Sequence, residues 1–247
     1  MENAQPLLQI VDLGHRYAHG GRMASVFHGL RGEVHLGELV CLIGRSGCGK
    51  STLLKILAGF LPPTHGYCLL DGRPITRPGP DRGVVFQEDA LFPWLTVREN
   101  ITFGLKENGR LAQAVVGIMQ QVGLQGYDDH LPRALSGGLK QRVALARVLI
   151  RSPRMLLMDE PFGALDAQSR EEMQDVLLRL MSACRQTVVF VTHDVQEAVI
   201  LADRVWLMDQ NGGGLIQELA VPLSRPRDPS LPEFQDCCRQ LHRWLRQ

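Results

Sequence analysis

Leu39-Val40-Cys41-Leu42-Ile43-Gly44-Arg45-Ser46-Gly47-Cys48-Gly49-Lys50-Ser51-Thr52 runs from an apolar stretch straight into a glycine-spaced turn. The apolar residues Leu39–Ile43 read as a buried strand, and a helix is expected to open near Lys50. The nine residues Gly44 to Thr52 match the phosphate-binding pattern G-x-x-x-x-G-K-[ST]. Glycines there let the backbone turn so that its N–H groups converge on phosphate oxygens, and the helix adds the positive end of its dipole. Lys50 would then reach the β and γ phosphates of ATP, and the Ser51 hydroxyl would ligate Mg²⁺. The plain alternative is a glycine-rich turn that happens to precede a helix. Cys48 stands inside the loop beside Lys50 and a helix N-terminus, both of which favour thiolate, so it is expected to be reactive.

A second strand explains why the loop is more than a turn. Met155-Leu156-Leu157-Met158-Asp159-Glu160 is an apolar run ending in two carboxylates, which places acid at the carboxyl edge of a parallel sheet. Asp159 would hold Mg²⁺ through water, and Glu160 would polarise the attacking water. Read alone, the two acids could simply cap the turn before Pro161.

Further apolar runs at Val84–Phe86, Val188–Val191 and Val205–Met208 read as strands separated by helical segments, which predicts an α/β fold with a largely parallel sheet. Helical stripes occur at Val115, Ile118, Met119 and Val122, and at Met173, Val176, Leu177, Leu180 and Met181. From about Glu88 to Leu149 the pattern is helical without a convincing strand. The expected organisation is one nucleotide-binding domain: an α/β core over about 1–87 and 150–230, an inserted helical subdomain over 88–149, and a helical tail over 231–247. Loops are expected at Gly20-Gly21, Pro62-Pro63, Pro78–Pro80, Gln125–His130 and Asn211–Gly214.

Composition narrows the partners. The 247 residues carry 27 basic and 26 acidic side chains, a net charge of +1, and so no field to gather nucleic acid. The six cysteines lack metal-ligand spacing and read as reduced thiols. The start, Met1 to Pro6, has no basic or apolar signal, and no run reaches the roughly 18 apolar residues of a membrane span. A cytoplasmic chain is expected, with any membrane crossed by other subunits.

Leu135-Ser136-Gly137-Gly138-Leu139-Lys140-Gln141-Arg142 resembles the signature motif of ATP-binding-cassette (ABC) ATPases. From the residues themselves, Ser136 can cap a helix running through Arg147, and the two glycines bare N–H groups at its positive end. That makes a second anion site, or simply a helix cap. The resemblance extends from about Leu7 to Pro229 and implies a phosphate-loop core with an N-terminal antiparallel β region. It also implies a dimer, in which Ser136, Gly137 and Gly138 of one subunit close over the γ phosphate held by the other. Tyr17 resembles the aromatic that stacks on adenine, and Gln87 the glutamine that senses Mg²⁺ and water. Asp166 resembles the interface aspartate, and His193 the histidine on the γ phosphate. Unaided, Tyr17 could be a surface aromatic and His193 a structural histidine. Leu139 departs from the family pattern, which often has glutamine there.

Gly79 to Glu88 with Ala90-Leu91-Phe92-Pro93-Trp94, and the tail Pro222 to Pro229, look like importer ATPases of the nitrate, sulfonate and taurine group. That implies transmembrane permease subunits as partners on the inner face of the membrane, and indirectly a solute-binding protein. Phe92-Pro93-Trp94 could form the docking surface, or Trp94 could pack in the core. Two other functions fit a phosphate loop. A soluble ABC-type ATPase acting on DNA or ribosomes would bring a coiled-coil insertion, tandem cassettes or basic patches, and a phosphate-loop kinase has no use for Ser136-Gly137-Gly138.

Overall fold

Uninterrupted apolar runs become strands covered on both faces. The computed structural model describes residues 5–19, 22–88, 90–106, 109–209 and 214–246. Of the loop expected at Asn211–Gly214 only Gly214 lies within these; Gly20-Gly21 and the start Met1–Ala4 lie outside. The chain packs as two compact units, Met1–Gly79 with Thr187–Gln247, and Pro80–Gln186.

In the first unit, β1 (Leu8–His19) pairs antiparallel with β2 (Arg22–Val34), Leu8 facing Val34 and Tyr17 facing Ala24. The other edge of β1 pairs antiparallel with β4 (His65–Leu70), which carries the two-residue β5 (Arg73–Pro74). Bulges interrupt β1, and Asp12 sits there at φ 50°. Opposite it, a Cβ on Gly66 would come within 2.3 Å of the Asp12 carbonyl, so only glycine fits. Leu8, Ile10, Leu13, Phe27, Leu30 and Leu70 form the buried side of this sheet.

The same unit holds β3 (Leu39–Ile43) between β8 (Thr187–Val191) and β9 (Arg204–Met208), both parallel to it, with β10 (Leu215–Ala220) antiparallel on β9. Every residue of β3 and β8 is buried, which is why both read as continuous apolar runs rather than alternating ones. Side chains tie the strand entries together: Leu39 N–H donates to Asp203 at 2.8 Å and Gly37 N–H to the Thr187 hydroxyl at 2.8 Å. The strands lead into α1 (Lys50–Leu57) and α6 (Val195–Leu201); α7 (Pro232–Arg246) buries Phe234, Cys238 and Leu241 and packs on α6.

In the second unit, β6 (Arg82–Val85) runs parallel to β7 (Met155–Asp159). The apolar run at Val84–Phe86 is therefore shifted in the strand: Arg82 and Gly83 join it, and Phe86 lies outside, 41% exposed. Between β6 and β7 the described residues are helical, in α2 (Val97–Thr102), α3 (Gly109–Val122), a 3₁₀ turn at Pro132–Ala134 and α4 (Gly137–Leu149). After β7 comes α5 (Ala167–Cys184). The α5 stripe Met173, Val176, Leu177, Leu180 and Met181 is buried, as are Val115, Met119 and Val122 of α3, whereas Ile118 is half-buried. No helix among the described residues is long and apolar enough to cross a membrane.

Candidate functional site

The residues of the expected phosphate loop connect β3 to α1. Gly49 is the N-cap of α1 at φ 102°, and a Cβ there would lie 2.7 Å from Val26 Cγ1 and 3.0 Å from Phe27 Cδ1. Both the conformation and the close pass over β2 require glycine. Gly47 also has positive φ, 84°, with open space where a side chain would be, and Arg45, Ser46 and Gly47 are exposed. Lys50, 7% exposed, donates through Nζ to the carbonyls of Gly44 at 2.8 Å and Arg45 at 3.2 Å. Its charge therefore sits among loop dipoles, where solvent screens it weakly. Ser51 and Thr52 follow in the first turn of α1, Ser51 exposed and Thr52 half-buried.

Cys48 corrects the sequence reading. Its side chain is 2% exposed, and burial pushes the thiol pKa up; Lys50 nearby pulls it down but does not prevail. The desolvation of a thiolate outweighs one neighbouring ammonium, so thiol chemistry at this site is suppressed at neutral pH rather than promoted. With a small maleimide at neutral pH, exposed Cys184 is expected to react first, while Cys48 resists and ATP turnover persists. Intact-mass measurement with peptide mapping checks this; labelling of Cys48 as fast as Cys184 would contradict it.

Tyr17 lies on β1, 42% exposed. His193 is exposed at the end of β8, immediately before Asp194, whose carboxylate caps α6 by accepting from Gln196 N–H at 2.8 Å and Glu197 N–H at 3.2 Å.

The second unit holds the remaining candidates. Asp159 ends β7, and Glu160 follows at φ 45°, a left-handed conformation that a non-glycine residue adopts at a cost of about 1–2 kcal/mol. Such strain turns the chain sharply at the strand's carboxyl edge. The turn closes with Gly163 N–H on the Glu160 carbonyl at 3.1 Å, and a Cβ on Gly163 would stand 3.7 Å from Gln87 Nε2. Exposed Gln87 thus lies against the turn that carries Glu160.

Ser136 caps α4, its Oγ accepting from Leu139 N–H at 3.3 Å. The N–H groups of Gly137 and Gly138 fall in the first turn, where no earlier helical carbonyl exists for them. Asp166 caps α5, accepting from Ser169 N–H at 2.9 Å and the Ser169 hydroxyl at 2.8 Å, bonds that hold its carboxyl below the usual range. A Cβ on Gly138 would lie 3.2 Å from Ser169, so the starts of α4 and α5 adjoin. Ser136, Gly137, Gly138 and Asp166 are brought together in this unit.

Sequence reasoning missed Asn100. It is fully buried on α2, accepts from Phe92 N–H at 2.9 Å and donates to the carbonyls of Phe92, Leu95 and Thr96 at 2.9–3.1 Å. One side chain thereby fixes the turn that presents Trp94, which is 71% exposed. Phe92 packs on Phe103 at 4.2 Å and on Trp94 at 5.7 Å between ring centroids, with the Arg147 guanidinium 5.7 Å over its ring. Of the two readings of Trp94, the core-packing one does not hold. An amide amid polar residues carries no periodic signal; only the number of loop carbonyls needing donors could have pointed to Asn100.

Comparison with known proteins gives concordant results. The family model described as ABC transporter matches residues 27–163. The nitrate import ATP-binding protein NrtD of Synechocystis sp. is 43% identical over 232 residues, 92% of this chain and 86% of that protein. The aliphatic sulfonates import ATP-binding protein SsuB of Bacillus subtilis is 42% identical over 220 residues, 89% of this chain and 86% of that protein. Among solved structures, a dimeric ATP-binding cassette in a post-hydrolysis state bound to ADP and Pi superposes with a TM-score of 0.76 at 28% identity, covering 88% of this chain and all of that one.

Proposed function

The chain belongs to the ABC transporter family as an ATP-binding, ATP-hydrolysing subunit, and from that premise we propose that it energises import of nitrate, a sulfonate, taurine or a related small solute. The observation that carries the reading is the presence of two glycine-bearing helix starts of the kind that suits an anion, the Gly44–Thr52 loop before α1 and Ser136-Gly137-Gly138 opening α4. A chain that served one nucleotide alone would have no need of the second. The second start is offered to a partner copy's γ phosphate, which makes the working unit a dimer of cassettes. Tyr17 stacks on the adenine, the Gly44–Cys48 backbone and Lys50 hold the phosphates, and Asp166 lies at the subunit interface. Glu160 orients the attacking water, and His193 contacts the γ phosphate.

Ser51, Asp159 and Gln87 offer hydroxyl, carboxylate and amide oxygens, a hard donor set that suits Mg²⁺ and leaves most positions to phosphate and water. Bound there, the ion would offset charge developing on the phosphate oxygens. Glu160 bears the proton of the incoming water; Lys50 and the loop amides stabilise the equatorial oxygens.

Permease subunits cross the membrane, a solute-binding protein delivers the solute to them, and the chain works on the inner face. The preorganised Phe92-Trp94-Phe103 patch supports docking there, because exposed aromatics on a fixed turn lose little entropy on association. Trp94→Ala is expected to keep basal ATP turnover within about twofold while weakening association with the membrane subunits by about 2 kcal/mol or more and abolishing uptake. Pull-down and vesicle uptake check this; unimpaired uptake would remove the patch from the interface. The function itself is tested by co-purifying the membrane partner and asking which radiolabelled solute (nitrate, alkanesulfonate, taurine) stimulates ATP turnover in vesicles. If none does, the import assignment fails.

A further inference from the structure

His15 is only 4% exposed, and neither ring nitrogen has a hydrogen-bond partner among the described residues. Buried polar groups are nearly always paired, so an orphaned imidazole needs an explanation. The His15 and Tyr17 rings meet edge-on, with centroids 4.6 Å apart and planes at 77°. β1 thus carries His15 in the interior and, two residues on, Tyr17 at the surface, 42% exposed, with the two rings in contact. The imidazole therefore works as a neutral aromatic, and its perpendicular contact holds the Tyr17 ring in one orientation.

Protonation would place a charge in a buried position without a hydrogen-bond partner among the described residues, so the ring would have to move toward solvent to keep it. Burial pulls the His15 pKa below its ordinary value, and the Pro62 carbonyl opposes the shift without reaching hydrogen-bond geometry. Among the ionisable groups on the strands around it whose side chains are described are Asp12 and Arg16 on β1, His28, Arg31 and Glu33 on β2, and His65 and Tyr67 on β4, all exposed or half-buried. Asp12 binds His65 at 3.1 Å and Arg31 at 3.5 Å, Glu33 lies opposite Gln9 at the far end of the hairpin, and no carboxylate of the described residues is hydrogen-bonded to His15. A depressed folded-state pKa means the neutral ring prevails at neutral pH, and its support of Tyr17 is lost as pH falls through that pKa.

We propose that His15 is a positioning residue of the nucleotide site, setting the plane of Tyr17 for stacking on the base while neutral and releasing it when protonated. The proposal rests on the reading of Tyr17 as the base-stacking aromatic. It makes ATP affinity pH-sensitive through a residue that never touches ATP.

The test measures the binding of ATP and of inorganic tripolyphosphate, which has no base, to the full chain from about pH 8 to about pH 5.5. His15→Ala is expected to weaken ATP binding about three- to tenfold at neutral pH and to leave tripolyphosphate binding unchanged. His15→Phe should restore ATP affinity and abolish the part of its loss on acidification that tripolyphosphate does not share, because an aromatic ring without a titratable nitrogen does all that the contact requires. Equal weakening of both ligands by His15→Ala would mean a merely structural residue and overturn the proposal. So would an acid limb seen with ATP but not with tripolyphosphate that survives in His15→Phe, since a limb common to both ligands belongs to their own phosphates, and so would a His15→Phe variant as weak as His15→Ala. Tyr17→Ala separates the two levels. If it leaves ATP affinity unchanged, the stacking reading itself fails; if it weakens ATP while His15→Ala does not, only the role of His15 fails.

Discussion

Lys50→Ala is expected to leave a folded chain whose ATP turnover has dropped at least about 100-fold, the scale on which loss of one preorganised charge-stabilising donor is felt. The Nζ of Lys50 lies 2.8 Å from the Gly44 carbonyl and 3.2 Å from that of Arg45, inside the loop whose amides would face the phosphates. Backbone dipoles alone carry no net charge, so they cannot replace an ammonium opposite the charge of a γ phosphate in transfer. The substitution also strips two carbonyls of a donor in a buried place, costing about 1–3 kcal/mol. The helix itself should survive, since Leu53, Leu54, Ile56 and Leu57 remain packed. Phosphate release with a thermal melt on the same sample checks both parts. Turnover like that of the wild type would remove this loop from catalysis.

Glu160→Gln carries the second large effect. Glutamine keeps the length and the left-handed backbone at this position, φ 45°, while losing the capacity to take a proton from water. Hydrolysis should fall about 100- to 1,000-fold with nucleotide binding intact. Because bound ATP would bridge the loop of one copy and Ser136-Gly138 of the other, uncleaved ATP favours the dimer through its preferential affinity for that state. Size-exclusion chromatography with light scattering should show a dimer with ATP and a monomer without it. Adding Ser136→Arg should restore the monomer, since a long side chain at the start of α4 would occupy the approach of the partner's phosphate. A variant that stays monomeric with ATP when isolated and also fails to close in the full complex would exclude the shared site.

Legibility of the fold followed burial. Leu39–Ile43 and Met155–Met158 could be recognised because both faces of those strands are covered, which leaves no polar interruption in the sequence. The long hairpin of β1 and β2 could not be drawn residue by residue. Bulges at Asp12 and around His15 break its alternation, and exposed Arg16, Tyr17 and Met23 dilute the apolar signal.

Local roles were legible where glycine spacing or a capping residue is obligatory, as at Gly49 and Ser136, whereas the capping of α5 by Asp166 was not read from the sequence. Properties set by three-dimensional burial were not. Cys48 has the neighbours of a reactive thiol, yet desolvation decides its state. Trp94 has the composition of a core residue, yet Asn100 holds it out on a turn. The positive φ of Glu160 has no sequence signature, because a glutamate stands where a glycine would relieve the strain.

The most direct measurement is the specific ATPase activity of the purified chain as a function of its own concentration. If each nucleotide site is completed by the Ser136-Gly137-Gly138 start of a second copy, activity per chain should rise in proportion to concentration at the dilute end and level off where dimers predominate. An activity per chain that is constant over the whole range would mean that a single copy hydrolyses ATP unaided, and would contradict the shared site.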